Sequence, residues 1–110
     1  MAREPIDLLH GTLDVLVLKT LSLGPTHGYG ISRSIESRTG QVLEIEDAAL
    51  YKALHRLEAS GAIESEWGVS DNNRRARFYR LTARGKRELR AETETWRVYA
   101  GAIFAVLETA

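Results

Sequence analysis

The chain contains no cysteine, which excludes a disulfide framework and a thiolate metal site and suits a reducing compartment. Histidine is scarce too. His10, His27 and His55 do not fall at metal-ligand spacing, so neither a metal centre nor a histidine-based active site is expected, and no cofactor. Long apolar runs are missing as well. The start, Met1-Ala2-Arg3-Glu4-Pro5, has no apolar stretch behind a basic opening, so no secretory signal is visible. No segment is apolar over the roughly 20 residues a bilayer requires. Repeats, low-complexity tracts and linkers are also absent. With 110 residues there is room for one domain and one modest core. These absences lead to the expectation of a soluble, cytoplasmic protein that is not an enzyme and has no membrane partner.

Excess charge of either sign is lacking overall, with 15 basic and 15 acidic residues, but the charges are unevenly placed. From Asn72 to Arg90 there are eight cations (Arg74, Arg75, Arg77, Arg80, Arg84, Lys86, Arg87, Arg90) against Glu88 alone, a local charge of +7. From Glu36 to Asp71 the sign reverses, with eight acids against Arg38, Lys52 and Arg56. A polyanion responds to the local patch and not to the sum, so the clustering is the informative quantity.

Apolar periodicity divides the chain into elements. Leu8, Leu9, Leu13, Leu16, Val17, Leu21 and Leu23 recur at three and four, predicting a first helix from Leu8 or Thr12 to Leu23, stopped by Gly24-Pro25. A second helix opens at His27-Gly28-Tyr29-Gly30, with Tyr29, Ile31 and Ile35 as its apolar positions. Gly28 and Gly30 are spaced too simply for a phosphate-binding loop, and His27 is expected to hydrogen-bond between helices. Val42 to Ile45 alternates apolar and acidic residues, predicting a short edge strand. Glu46 or Asp47 caps a third helix that runs through Ser60, with Leu50, Leu54 and Leu57 inward and Gly61 closing it. Ile63, Ser65, Trp67 and Val69 mark one face of a further strand, and Phe78 to Leu81 belong to the next. The intervening Ser70-Asp71-Asn72-Asn73 favours a turn, so these two strands form a β-hairpin. From Thr82 to about Leu107 a long helix follows.

The fold expected is mostly α with a small β-hairpin: a winged helix-turn-helix over residues 1–81 and a C-terminal dimerisation helix over 82–110, in the same compact unit. In this architecture the third helix can lie in the major groove of double-stranded DNA while the hairpin, or wing, reaches the flanking backbone. The third helix meets those demands by presenting slim Ala48 and Ala49 in its first turn and polar Lys52, His55 and Arg56 away from the leucine stripe. Lys52 and Arg56 otherwise form an ion pair with nearby acids, and Tyr51 either donates its hydroxyl to a phosphate or packs at a helix junction. The wing carries Asn73, Arg74, Arg75 and Arg77, and strand alternation places Arg75 and Arg77 on one face.

The sequence resembles the PadR-like transcriptional regulators over almost its whole length. The resemblance lies in His27-Gly28-Tyr29-Gly30, in Leu50-Tyr51-Lys52-Ala53-Leu54-His55-Arg56-Leu57-Glu58, in Gly61-Ala62-Ile63-Glu64-Ser65-Glu66-Trp67, and in Arg74-Arg75-Ala76-Arg77-Phe78-Tyr79-Arg80-Leu81-Thr82-Ala83-Arg84-Gly85. The length is similar to the short subfamily. The resemblance implies a homodimeric winged-helix repressor, relieved in some relatives by a small aromatic effector. The chain departs from the family pattern at Lys52, where proline is frequent, and at Ala48-Ala49, where glycine or a hydroxyl residue is common. The operator therefore does not carry over, and specificity is sought in Ala48, Ala49, Lys52 and His55.

In the last helix Leu89, Trp96 and Ile103 repeat every seven residues, and Ala100 and Leu107 fall four after Trp96 and Ile103, an apolar stripe expected to pair with the same helix of a second copy. Trp96 is either simple interface packing or a flat wall for a planar aromatic effector. Three functions remain open: a DNA-binding repressor, an effector-sensing regulator with DNA as its readout, and a winged helix used for protein contact.

Overall fold

Three short helices share one core because each has an apolar stripe and none is long enough to be stable alone. The computed structural model describes residues 11–110. Their order is α1 (Thr12–Ser22), β1 (Thr26–His27), α2 (Gly28–Arg38), α3 (Asp47–Ala59), β2 (Ile63–Val69), β3 (Arg75–Leu81) and α4 (Ala83–Leu107). Leu13, Val17, Leu18 and Leu21 of α1 meet Ile31 and Ile35 of α2, Leu50, Ala53, Leu54 and Leu57 of α3, and Ile63 and Tyr79 of the sheet. The first helix thus begins at the later of its two expected starts. Leu8, Leu9 and His10 lie outside the described residues.

In α2, Ile31 and Ile35 are buried, but Tyr29 is 68% exposed, contrary to the reading of its spacing. Two residues before Ile31, it lies about 200° around the helix and faces away from the core. His27 also differs from expectation. It does not bridge helices; its Nδ1 accepts the Gly30 N–H at 3.0 Å and caps α2.

Among the described residues, the edge strand expected at Val42 to Ile45 is reduced to a single bridge position at Leu43. Gly40 and Gln41 turn the chain with φ of 59° and 67°, and side chains at the end of α2 and its C-cap take the N–H groups of Leu43 and Ile45. Thr39 Oγ1 accepts from Leu43 N at 3.2 Å, and the Glu36 carboxylate accepts from Ile45 N at 3.1 Å. Glu46 occupies the N-cap position of α3 but makes no side-chain capping bond. At the other end, Gly61 N donates to Glu58 O and Ala62 N to Leu57 O, the paired bonds of a Schellman turn.

The hairpin pairs Ile63 with Leu81, Ser65 with Tyr79, Trp67 with Arg77 and Val69 with Arg75. Its turn is closed by Ser70 N to Arg74 O at 2.8 Å and Asn73 N to Ser70 O at 2.9 Å. Asn73 takes the left-handed conformation at φ 61°, which asparagine tolerates in such turns. The two-residue β1, too short to show any periodicity, adds a third antiparallel strand in the order β1-β3-β2.

At the start of α4, Thr82 Oγ1 accepts the Gly85 N–H at 3.1 Å and lies 2.9 Å from Ala62 O, to which it can donate. Helix and sheet approach so closely here that a Cβ on Gly85 would collide with the Ala62 carbonyl oxygen and stand 2.7 Å from Leu81 Cδ1. Leu89 packs against the domain's own core. α4 runs on beside α1 as far as Arg97, and past it Val98, Tyr99, Ile103, Phe104, Val106 and Leu107 are exposed. Because the Gly85 contact involves backbone that cannot step aside, Gly85→Ala should destabilise the fold by about 1–3 kcal/mol, read from urea unfolding. Wild-type stability would show that this junction is not tight.

Candidate nucleic-acid interface

Because α3 buries Leu50, Leu54 and Leu57, its opposite side carries Ala48, Ala49, Tyr51, Lys52, His55 and Arg56, all exposed. Three neighbouring depressions join this helix to the wing. Ala48, Tyr51, Lys52, His55 and Arg56 line the first; Tyr51, His55, Glu58, Arg77 and Tyr79 line the second. The third, a cleft of about 930 Å³, lies between the α2 N-terminus and the wing and includes Gly28, Tyr29, Tyr51, Trp67, Arg74, Arg75 and Arg77. Tyr51 borders all three. Its hydroxyl lies over the start of α2, where a Cβ on Gly28 would stand only 2.7 Å from Oη, so glycine there makes room for the ring. Ala49 is exposed but lines none of the three depressions.

The cations do not act as one patch. Arg80 points to the opposite face of the hairpin and pairs with Glu64 at 2.7 Å. Arg84 lies 3.8 Å from Glu88 on α4, and Arg90 borders a different groove, between α1 and α4. What remains at the wing is Arg74 at the tip, with Arg75 and Arg77 on the expected common face. Neither Lys52 nor Arg74 nor Arg75 has an ion-pair partner among the described residues. Arg56 does: its guanidinium meets Asp14 of α1 at 2.7 Å, so Lys52 and Arg56 are not an equivalent pair.

Sequence reasoning passed over Trp67. On the same hairpin face as the two arginines, it is 57% exposed and lies 4.7 Å from the Arg75 guanidinium carbon and 5.7 Å from that of Arg77. Only the register, with Trp67 opposite Arg77, reveals the cluster. Glu58 likewise reads in the sequence as one acid among several and not as a neighbour of Arg77, which it approaches at 3.5 Å. Tyr79 closes the floor beneath them. Burial pushes its phenol above the ordinary 10.0, an effect countered by the Arg77 guanidinium and reinforced by Glu58 and Tyr51.

At the far side of the molecule Trp96 is half-buried, edge-to-face with Tyr99 at 5.7 Å. It helps to line a groove of about 700 Å³ between α1 and α4, with Val15, Leu16, Leu89 and Thr93. Of the stripe expected to face a second copy, Leu89 is therefore already packed at home, because α4 starts against the wing domain. Trp96 and Ala100 are half-buried, while Ile103 and Leu107 are exposed. Among the described residues no group of three or more potential ligands is placed to hold a metal ion, and no helix is long and apolar enough to cross a membrane.

A helix-turn-helix followed by a cationic wing defines a winged-helix fold of the DNA-binding class. Residues 17–91 match the transcriptional regulator PadR-like family. The chain belongs to that family, whose members are transcriptional regulators and not enzymes. It is similar to a PadR-family transcriptional regulator from Eggerthella lenta at 34% identity and a TM-score of 0.76, covering 91% of this chain and 85% of that one. It is also similar to a transcriptional regulator from Clostridium thermocellum at 32% identity and a TM-score of 0.78, covering 86% and 89%. A third likeness is to Bacillus subtilis PadR, solved in complex with operator DNA, at 25% identity and a TM-score of 0.67, covering 77% of this chain and 48% of that one.

Tyr79 gives a pH prediction. Its folded pKa is raised, so above 10.0 the unfolded chain releases the phenolic proton first and stability falls as the pH rises further. Tyr79→Phe should remove the highest-pH component from a phenolate absorbance titration. If that component survives the substitution, the ionisation belongs to another tyrosine.

Proposed function

We propose that the protein is a homodimeric repressor that binds a pseudo-palindromic operator, with α3 in the major groove and the wing on the adjacent backbone. The observation that carries this reading is the shared concave surface on which Tyr51, Lys52 and His55 of α3 stand beside Arg74 and Arg75 of the wing. Cations at the wing tip neutralise phosphates without reading sequence, whereas discrimination between bases comes from groups that reach the groove edges. Ala48 and Ala49 keep the first turn of α3 slim enough to approach those edges and can contact a thymine methyl. Lys52, His55 and Arg56 supply polar contacts beyond them, and Asn73 shapes the tip that presents Arg74. The operator complex of Bacillus subtilis PadR supports the assignment of DNA as partner. Action takes place in the cytoplasm, on the nucleoid.

The exposed end of α4 supports the reading of a second copy. From Val98 to Leu107 the helix has no charged residue, and six large apolar side chains there are exposed. A helix apolar on all sides is stable in water only when covered. Pairing of two such helices through Trp96, Ala100, Ile103 and Leu107 gives a two-fold dimer whose recognition helices meet half-sites about 34–36 Å apart. The groove beside Trp96 supports a second reading, in which a planar aromatic effector enters there and alters operator affinity.

Fragments of genomic DNA retained by the purified protein should contain inverted half-sites about one duplex turn apart. Arg74→Ala with Arg75→Ala should lower the slope of log affinity against log salt by about 0.9 for each phosphate no longer neutralised. No DNA retardation at low salt would overturn the operator reading and favour a winged helix used for protein contact. Ile103→Glu should shift sedimentation from dimer to monomer and weaken operator binding at least tenfold, since each half-site then binds alone. A wild-type mass for Ile103→Glu would place the dimer contact elsewhere.

A further inference from the structure

The Trp67 cluster does something that a set of phosphate contacts would not need. Arg77 Nε donates to Ser65 Oγ at 2.7 Å, and Ser65 Oγ in turn donates to Glu58 Oε2 at 2.6 Å. Arg77 Nη2 reaches the same carboxylate oxygen at 3.5 Å. The guanidinium also lies 5.7 Å from the centre of the Trp67 ring. Glu58 stands in the last turn of α3, Ser65 and Trp67 on β2, and Arg77 on β3. The three polar groups therefore link the end of the recognition helix to both strands of the wing, and each has a role in the relay that matches its chemistry. Arg75, by contrast, has among the described residues only the indole face, at 4.7 Å, and none of its side-chain donors is engaged by them.

We propose that Glu58, Ser65, Arg77 and Trp67 form a brace that sets the angle between wing and recognition helix, so that Arg77 is a positioning residue while Trp67 presents Arg75 to the DNA backbone. This rests on the operator reading given above. Exposed single ion pairs contribute little to stability, so the brace acts on direction more than on folding. It confines a hairpin that would otherwise swing about its base, and it spares Arg75 part of the ordering cost that a free side chain bears on binding. The arginine cannot be replaced by lysine here. A planar fork can serve Ser65, Glu58 and the indole face together, while an ammonium is a point charge. A phosphate contact makes no such distinction, because lysine neutralises a phosphate as well.

The difference between Arg77 as brace and Arg77 as phosphate ligand can be tested in two arms. The first uses the free, full-length protein. Nitrogen-resolved NMR of the arginine Nε–H groups should show Arg77 exchanging with solvent more slowly than Arg74, and Ser65→Ala should abolish the difference. Trp67→Ala should remove the ring-current shift of the Arg75 side chain, and Trp67→Phe should keep part of it. Equal exchange for Arg77 and Arg74, or an unshifted Arg75, overturns the brace whether or not the protein binds DNA. The second arm titrates a genomic fragment retained by the wild-type protein. Arg77→Lys and Ser65→Ala should each weaken binding by roughly tenfold, the scale of removing one charge-assisted hydrogen bond, with the salt slope unchanged. Wild-type affinity for Arg77→Lys, or a slope lower by about 0.9 for Arg77→Gln, makes Arg77 a phosphate ligand and overturns the proposal. Failure of the wild-type protein to retain any fragment defeats the operator reading instead, and the NMR arm then decides the brace by itself.

Discussion

What α3 shows to solvent is set by what it buries. Leu50, Ala53, Leu54 and Leu57 are held by α1 and the base of the sheet, which fixes the rotation of the helix about its own axis. That rotation turns Ala48, Tyr51, Lys52 and His55 outward as a group. The same core holds Ile63 and Tyr79, so the base of the wing is anchored in the body that orients the helix. Recognition surface and wing are therefore two outcomes of a single packing problem. Removal of a core methylene would be felt at both, because well-packed interiors transmit small displacements.

Charge gains its meaning only after this packing. Along the sequence, the stretch from Asn72 to Arg90 is a nearly unbroken cationic run, but alternation along β3 and the turn into α4 send its members in different directions. Arg80 is matched by Glu64 across the strands, Arg84 lies near Glu88, and Arg90 borders the α1–α4 groove. At the wing, among the described residues, Arg74 and Arg75 are left without an ion-pair partner. The local charge at the wing is thus far smaller than the +7 of the sequence stretch, in a chain whose 15 basic and 15 acidic residues balance. Trp67 lies against the guanidinium groups of Arg75 and Arg77.

The elements legible from spacing were those with several turns or a strong turn signal. The leucine stripe of α3, the hairpin turn at Ser70 to Asn73, and α4 after Thr82 all follow from local pattern. The segment from Val42 to Ile45 misled because apolar–acidic alternation marks an extended chain without saying what pairs with it. In the fold its N–H groups go to Thr39 and Glu36. β1 was invisible for the opposite reason, since two residues have no period and Thr26 and His27 become a strand only because β3 passes beside them. Leu89 keeps the heptad spacing of its stripe but serves the wing domain's own core, a division that no one-dimensional repeat expresses.

The sequence by itself determined the class of architecture, the stripe that orients α3, the turn that makes the wing, and the apolar end of α4. All of these rest on neighbours within a few residues, where spacing translates directly into direction. The tertiary structure alone decided which arginines share a face with Trp67, that Arg56 is tied to Asp14, and that Glu58 reaches Ser65 and Arg77. Those contacts join positions 7, 19 and 42 residues apart in the chain. They depend on strand register and helix rotation, which are settled only when the core closes. The wing was recognisable as cationic from its composition, but which of its arginines meet Glu58, Glu64 and Trp67 emerged from packing.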